Sequence, residues 1–256
     1  MIHETALVDA SAKIADHVEI GPYSVIGPEV EIASNTWIGP HVVIRGPAKI
    51  GSANKIFQFS SIGDAPQDKK YAGEKTALEI GDGNTIREFC TINRGTIQGD
   101  GCTRICSDNW IMAYVHVAHD CVIGNHTIMA NCVTLAGHVQ VGDHAILGGF
   151  SKVHQFCRIG IHSFSGMDTG LSRDLPPYFM ASGMPAQPKG INSEGLRRRD
   201  FSKEQIRAIK NAYKTLYRSG KQLEDAINDI ASAAEEQPVL AILVDFLRSS
   251  ERSIIR

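Results

Sequence analysis

Residues 20–50 read IGPYSVIGPEVEIASNTWIGPHVVIRGPAKI, with isoleucine at every sixth position. The same step extends from Ile2 to Ile62, where all eleven register positions hold Ile or Val. It resumes at Ile80 and, after a slip of one residue, continues from Ile105 to Ile159. A period of six fits neither an amphipathic α-helix nor a long alternating strand. The repeat therefore decides the fold.

A repeat of this kind predicts a solenoid in which each hexad, a six-residue unit, is one short strand and a corner. Glycine often follows the register residue, as at Gly21 and Gly39, where it assists the corner. Three hexads would close a triangular coil of eighteen residues, with the aliphatic ladder inside. Stacked coils would pair at about 4.8 Å, so some nine coils give a rod on the order of 43 Å long.

The chain is predicted to contain two domains. Residues 1–190 would form the β-helix, with loops leaving it near 64–76 and 94–104, where the register breaks. Residues 191–256 would form a helical domain, because Ser202 and Gln205 have capping-box spacing ahead of an amphipathic pattern. Gly220 is placed to end that helix, and Pro238 to open a later one.

Composition excludes several classes of protein. With 26 Lys+Arg against 28 Asp+Glu the net charge is −2, which disfavours nucleic-acid binding by bulk charge. The first residues lack a basic segment followed by an apolar one, and no apolar run reaches the length of a membrane span, so we expect a cytoplasmic protein without stable membrane insertion. The six cysteines form no Cys-x-x-Cys pair and are expected to be reduced, small core residues.

The histidines carry the chemical interest. His126, His144 and His162 are spaced by eighteen residues and should stack along one wall. His119 precedes Asp120, and a carboxylate beside an imidazole can fix its tautomer and raise its basicity. One coil later, Gly137 should lie over His119 and His138 over Asp120. Spacing alone leaves both catalysis and a purely structural role open.

Ordered segments through most of the chain resemble the bacterial UDP-N-acetylglucosamine O-acyltransferases, which are hexapeptide acyltransferases that begin lipid A biosynthesis. The resemblance implies a left-handed parallel β-helix with a C-terminal α-helical domain, a handedness that the period does not give. The matching segments are residues 67–68, 70–74, 80–82, 94–96, 116–121, 135–139, 153–157, 192–199 and 211–214.

The resemblance implies a metal-free reaction with no cofactor on this chain, since acyl carrier protein carries the phosphopantetheine arm. The 3-hydroxyl of UDP-N-acetylglucosamine would attack the thioester of an (R)-3-hydroxyacyl chain. His119 matches the general base, Asp120 its orienting carboxylate and the Gly137 N–H the oxyanion donor. The substrate would lie between neighbouring subunits of a homotrimer. The matched substrate-binding residues are Asp68, Lys70, His116, His138, His154, Gln155 and Glu194.

Four further positions match the acyl-chain and carrier-protein contacts of that family: Met167, Asn192, Arg198 and Arg199. Guanidinium groups suit a phosphate, and their attraction to an acidic carrier protein should weaken with salt. Met167 stands where some family members have glycine, so we predict a shorter preferred acyl chain, with simple core packing as the other interpretation. Asn93 replaces a histidine common in the family, which removes one titratable group near the cleft.

Three other functions are compatible with parts of this sequence pattern. The nearest is the N-acyltransferase of the same pathway, which usually carries an additional N-terminal domain. A metalloenzyme of the γ-carbonic-anhydrase type uses the same solenoid with three histidine ligands. A purely structural solenoid is the third, and it predicts that replacing His119 changes no activity.

Overall fold

Each face of the molecule is a sheet of short strands, and nearly all of these strands pair in parallel. The computed structural model describes residues 1–256 and contains sheets of nine, eight and ten strands. Partners in neighbouring coils are eighteen residues apart in the regular part, as in the row Ile26, Ile44 and Ile62. The chain visits the three faces in turn, which makes a triangular prism of about nine coils.

The strands of the first face are Leu7–Val8, Val25–Ile26, Val43–Ile44, Ser61–Asp64, Thr91–Asn93, His116–Val117, Thr134–Leu135, Lys152–Val153 and Gly170–Leu171. Those of the second face are Lys13–Ile14, Val30–Ile32, Ala48–Ile50, Ala77–Ile80, Cys102–Ile105, Val122–Ile123, Gln140–Val141 and Arg158–Ile159. Those of the third face are Glu19–Ile20, Trp37–Ile38, Lys55–Ile56, Thr85–Ile86, Trp110–Ile111, Ile128–Met129, Ile146–Leu147, Phe164–Ser165, Phe179–Ser182 and Gln187–Ile191.

The register residues form the core, as their six-residue spacing requires. Ile38, Ile44, Ile56 and Ile62 are fully buried inside the prism. Four of the six cysteines are buried with them, while two are intermediate, and all six are free thiols. Burying such a ladder removes apolar surface from water in every coil, and this stabilises a stack whose single strands are too short to persist alone.

Two insertions interrupt the stack. Ile80 pairs with Ile50, thirty residues earlier, so the first insertion adds twelve residues to a coil. Ile105 pairs with Ile80, twenty-five residues earlier, so the second adds seven. The expected loop near 94–104 is wrong at its end: the strand Cys102–Ile105 pairs along its whole length with Ala77–Ile80, because those residues have a ladder partner, and the loop ends at Gly101.

The sheet register also continues beyond Leu171, where the hexad pattern stops. Phe179–Ser182 pairs in parallel with Phe164–Ser165 and in antiparallel with Gln187–Ile191, so the third face gains two strands that the hexads did not predict. The Pro-rich connector thus returns to the prism before the helices begin.

The helices are α1 (Ser193–Arg197), α2 (Lys203–Arg218), α3 (Leu223–Glu236), a 3-10 turn (Pro238–Leu240) and α4 (Ala241–Arg248). The capping box of Ser202 and Gln205 is formed, which satisfies two N-terminal groups of α2. Gly220 follows α2 with a φ of +77°, a conformation that glycine adopts without strain. No helix combines the length and apolar character needed to cross a lipid bilayer. The division at residue 190 stays a prediction.

Candidate active site

The three edges of the prism separate the predicted site residues into groups. We call the corner between the first and second faces the first edge, that between the second and third faces the second edge, and that between the third and first faces the third edge. His119, Asp120, Gly137 and His138 lie on the first edge, between strands of those faces. Both insertions leave the prism from this same edge, and loops on a rigid scaffold are where binding groups are expected to lie.

His119 and Asp120 form a hydrogen-bonded pair. His119 Nδ1 lies 2.8 Å from Asp120 Oδ2, and the two side chains are 16% and 3% exposed. An ionised carboxylate can only accept hydrogen bonds, so Nδ1 is the donor and Nε2 is left as an acceptor. With this tautomer the Nε2 lone pair lies at a partly buried surface, which is the arrangement that proton abstraction requires.

Threonine residues hold Asp120 in place. Thr96 donates its backbone N–H to Oδ1 at 2.9 Å and its hydroxyl to Oδ2 at 2.6 Å. The N–H of Asp120 donates to Thr103 Oγ1 at 2.8 Å, which pins a backbone whose φ is +59°. Since both carboxylate oxygens are engaged, the group that faces His119 has little freedom to rotate.

Glycine makes room for the imidazole. A Cβ at residue 137 would stand 2.5 Å from His119 Cε1 and 2.8 Å from Nε2, well inside contact distance. The Gly137 N–H donates to no group of the chain. The predicted juxtaposition of Gly137 with His119 is thus confirmed, and the glycine exposes an unused donor beside the acceptor Nε2.

His138 lies over Asp120, as the eighteen-residue coil predicts. Its Nε2 is 3.6 Å from Asp120 Oδ2, and its ring stacks on Phe156 at 4.4 Å between centroids. Burial lowers the pKa of His138, while the negative charges of Asp120 and then Asp68 act in the opposite direction. Asp68 of the first loop is thus near enough for its charge to act on this ring.

Two other predicted residues adjoin the pair. His116 accepts from or donates to the Thr91 hydroxyl through Nδ1 at 2.7 Å. Burial, and then the nearby charge of His119, lowers the pKa of His116, which favours its neutral form. Lys70 is exposed on the first loop, and its backbone N–H donates to the Asp68 carboxylate at 3.0 Å.

The next coil on the first edge carries His154 and Gln155, and both side chains are exposed. Arg252 from the C-terminal segment reaches them: its Nη2 is 3.1 Å from His154 Nδ1 and 3.0 Å from the Gln155 carbonyl oxygen. The same guanidinium lies over the Phe156 ring. The C-terminal segment is therefore attached to the candidate site.

The residues matched to carrier-protein contact lie elsewhere, together with Glu194, which was matched to substrate binding. Asn192 caps α1 by accepting from the Gly195 N–H, and its Nδ2 donates to the His162 carbonyl on the second edge. Glu194 is exposed and pairs with Arg197 at 3.0 Å and with Arg198 at 3.5 Å. The structure does not bring this group together with His119 within one chain.

Arg199 lies beside the predicted histidine ladder of the second edge. The rings of His126, His144 and His162 stack at 4.9 and 4.7 Å, so the predicted ladder is confirmed. Partial burial lowers the pKa of Arg199. Burial, followed by the charges of His144 and Arg199, lowers the pKa of His162 to about 4. Burial also lowers the pKa of His144, so the neutral form is favoured for both of these rings.

Met167 occupies the third edge and is 76% exposed. The interpretation of Met167 as simple core packing is wrong for this chain, because the corner turns its side chain outward. Asn93 is buried instead, and its Nδ2 donates to the Ala65 carbonyl at 2.8 Å, which ties the base of the first loop to the first face.

Three residues at the site had no predicted role: Thr96, Thr103 and Arg252. Thr96 lies in a segment that carried the resemblance, and Thr103 precedes Asp120 by about one coil, so spacing could have found it. Arg252 is 98 residues from His154, and no sequence pattern signals that contact.

His119, Asp120 and His138 also place ligand atoms within 4.8 Å of one another, close enough to hold a divalent metal ion. However, Thr96 already occupies both Asp120 oxygens, and His119 Nδ1 occupies Oδ2 as well. The carboxylate oxygens of Asp120 are thus already hydrogen-bonded within the chain.

Comparisons with known proteins identify the family to which the chain is similar. Residues 102–137 match the family described as bacterial transferase hexapeptide (six repeats), which defines the class as a hexapeptide-repeat transferase. Residues 174–255 match the second domain of UDP-N-acetylglucosamine O-acyltransferase. The acyl-[acyl-carrier-protein]–UDP-N-acetylglucosamine O-acyltransferases of Thiobacillus denitrificans and Herminiimonas arsenicoxydans are 59% and 57% identical, each covering 100% of this chain and 99% of the relative.

Solved structures of UDP-N-acetylglucosamine acyltransferases are also similar to this chain over its whole length. The Francisella novicida UDP-N-acetylglucosamine acyltransferase has a TM-score of 0.98 at 46% identity, covering 100% of this chain and 94% of that one. LpxA from Acinetobacter baumannii has a TM-score of 0.98 at 48% identity, covering 100% and 99%. The chain belongs to the UDP-N-acetylglucosamine O-acyltransferase family and is an acyltransferase. The predicted fold, a left-handed parallel β-helix with a C-terminal helical domain, is confirmed.

Proposed function

We propose that this acyltransferase moves an (R)-3-hydroxyacyl chain from acyl carrier protein to the 3-hydroxyl of UDP-N-acetylglucosamine, the first step of lipid A biosynthesis. The observation that carries the proposal is the 2.8 Å hydrogen bond from His119 Nδ1 to a buried Asp120 carboxylate, beside a glycine that leaves Nε2 uncovered. The substrates are inferred from relatives whose names give acyl-[acyl-carrier-protein] and UDP-N-acetylglucosamine, one of them 59% identical to this chain.

The residues of the candidate site can account for each proton transfer and each bond change in the proposed reaction. His119 Nε2 takes the proton of the sugar hydroxyl as its oxygen attacks the thioester carbonyl. The Gly137 N–H, which has no partner in the chain, stabilises the oxyanion that forms. When the carbon–sulfur bond breaks, His119 returns the proton to the departing phosphopantetheine thiolate. No cofactor on this chain enters the balance.

The binding roles follow from chemistry and position. Lys70 on the first loop suits a diphosphate, and His116, His138, His154 and Gln155 offer polar groups for hydroxyl and amide recognition along one edge. Asp68 acts on the charge state of His138 and would contact the sugar. Glu194 would contact the uridine end, but it lies on another edge of the chain.

That separation supports assembly of the site between subunits. His119 stands on the first edge, Asn192 and Arg199 beside the second, and Met167 on the third. One substrate can meet all of them only if different chains contribute different edges, as in a homotrimer. Exposed, stacked aromatic side chains along the third edge, among them Phe59, Phe89 and Tyr114, are an apolar surface of the kind that partner chains bury.

The proposal also assigns roles to the residues that match the carrier-protein and acyl-chain contacts of the family. Arg198 and Arg199 would bind the phosphopantetheine phosphate and the acidic carrier protein, with Asn192 positioning α1 against the prism. Met167, exposed on the third edge, would limit the length of the acyl groove and favour a shorter chain. A cytoplasmic location, where the carrier protein is found, is part of the proposal.

The test is acyl transfer between 3-hydroxyacyl carrier proteins and UDP-N-acetylglucosamine by the wild type and by His119→Ala. We expect loss of a base to lower kcat by about 10²–10⁴-fold. His126→Ala is the matched control, since it removes an imidazole from the second edge and should retain full turnover. A His119→Ala enzyme with wild-type kcat would reject the proposed base.

A further inference from the structure

The seven-residue insertion of the second loop wraps the Asp120 carboxylate. Thr96 is fully buried within it and donates both its N–H and its hydroxyl to that carboxylate. The carbonyl of Thr96 in turn accepts from the N–H groups of Gly99 and Gly101, at 3.2 and 3.1 Å, which closes the loop on itself. A regular coil has no residues available at this place, so the break in the repeat creates the contact.

Gly99 completes the enclosure. A Cβ at this residue would stand 2.4 Å from Asp120 Oδ1, so the loop backbone presses directly on the carboxylate and tolerates no side chain there. Thr96 and Gly99 together cover Asp120 from the solvent side and fix which carboxylate oxygen faces His119. Oδ2 receives the Thr96 hydroxyl at 2.6 Å and His119 Nδ1 at 2.8 Å.

We propose that Thr96 is a positioning residue for acyl transfer, and that the loop formed by residues 94–101 orients Asp120 so that its Oδ2 holds the His119 ring with Nε2 toward the substrate. Thr96 touches no reacting atom and acts through Asp120. The inference rests on the proposed function, in which His119 is the base. Oriented partners of this kind lower the reorganisation needed as the imidazole gains charge.

The experiment compares Thr96→Val with Thr96→Ser. Valine has nearly the same shape and keeps the backbone N–H but lacks the hydroxyl, so one charge-assisted bond to Oδ2 is lost. We expect Thr96→Val to lower kcat about 10- to 100-fold with an unchanged KM for UDP-N-acetylglucosamine. Thr96→Ser restores the hydroxyl and should be within about threefold of wild type.

Thr127→Val is the matched control. Thr127 is also buried and also donates both its N–H and its hydroxyl to one side chain, that of Asn109 at 2.7 Å, but away from the first edge. We expect its kcat and KM to be unchanged. In an Asp120→Ala background, where the acceptor is gone, Thr96→Val should have no further effect on kcat.

Wild-type kcat in Thr96→Val would overturn the proposal, as would equal losses in the valine and serine variants. A combined rise in KM and fall in melting temperature, matched by Thr127→Val, would show a merely structural role. Gly99→Ala gives an independent test, since it too should lower kcat. If His119→Ala keeps full turnover, the proposed base fails; if His119→Ala is inactive while Thr96→Val is fully active, only the positioning role fails.

Discussion

Adding a single methyl group at Gly137 should disable the candidate base without unfolding the protein. The new Cβ would stand 2.5 Å from His119 Cε1, so the ring must turn away and break the 2.8 Å bond to Asp120. A hydrogen bond to a charged group contributes about 1.5–3 kcal/mol, which corresponds to a roughly 10- to 150-fold loss of kcat. The φ of Gly137 lies outside the left-handed region, so alanine adopts it without backbone strain.

The assay measures kcat for acyl transfer together with the melting temperature. Gly149→Ala is the control, because the nearest atom to a Cβ there is the Asn131 carbonyl oxygen at 3.4 Å, an ordinary contact. We expect Gly149→Ala to keep wild-type kcat and melting temperature, and Gly137→Ala to stay folded with a melting temperature lowered by roughly 3–12 °C through the lost hydrogen bond. A Gly137→Ala enzyme within about twofold of wild-type kcat would refute the reasoning that the glycine keeps Nε2 open.

Further predictions concern the other edges and the metal question. Met167→Gly should shift the preferred acyl carrier substrate toward longer chains, each added buried methylene contributing about 0.8 kcal/mol; an unchanged preference among several chain lengths would contradict this. Arg198→Ala should raise KM for the acyl carrier protein several-fold and weaken its dependence on salt, leaving KM for the nucleotide sugar unchanged. Treatment with a chelator should leave acyl transfer unaffected, whereas activity lost and then restored by zinc would favour a metal at His119, Asp120 and His138. Acidification should destabilise the protein through His162, whose pKa falls to about 4 on folding, because the unfolded chain takes up a proton below its pKa of about 6.5 and the folded chain does not. Urea unfolding at fixed protein concentration should show that the free energy of unfolding falls by an amount on the order of 1 kcal/mol between pH values of about 6.5 and 4, since solvent around the half-buried ring weakens the effect. The variant His162→Phe should show a smaller fall.

The coil could be predicted because one physical requirement repeats in every turn. Each short strand must place an aliphatic side chain inside the prism. The eighteen-residue spacing of Ile26, Ile44 and Ile62 therefore predicts that they pair in neighbouring coils. The same rule places Gly137 over His119 and His138 over Asp120 before any coordinates are known. Within the repeat, the residues that lie next to each other in neighbouring coils can therefore be predicted from their eighteen-residue spacing.

Where the repeat breaks, the eighteen-residue spacing no longer predicts which residues are in contact. The loop from Arg94 to Gly101 is shaped by backbone bonds to the Thr96 carbonyl and by contact with Asp120, neither of which has a periodic signature. Arg252 meets His154 across 98 residues through a C-terminal segment that lies outside the repeat. The residues that orient the site were therefore hidden, although the residues they orient were predictable.

The orientation of His119 tests the account most directly. NMR of the wild-type protein with isotope-labelled histidine, at a pH where the His119 ring is neutral, reports which ring nitrogen carries the proton. The account predicts a protonated Nδ1, donated to Asp120, and a bare Nε2, with this preference weakened in Asp120→Asn. A proton on Nε2 in the wild type would leave no lone pair for the sugar hydroxyl and would contradict the proposed mechanism.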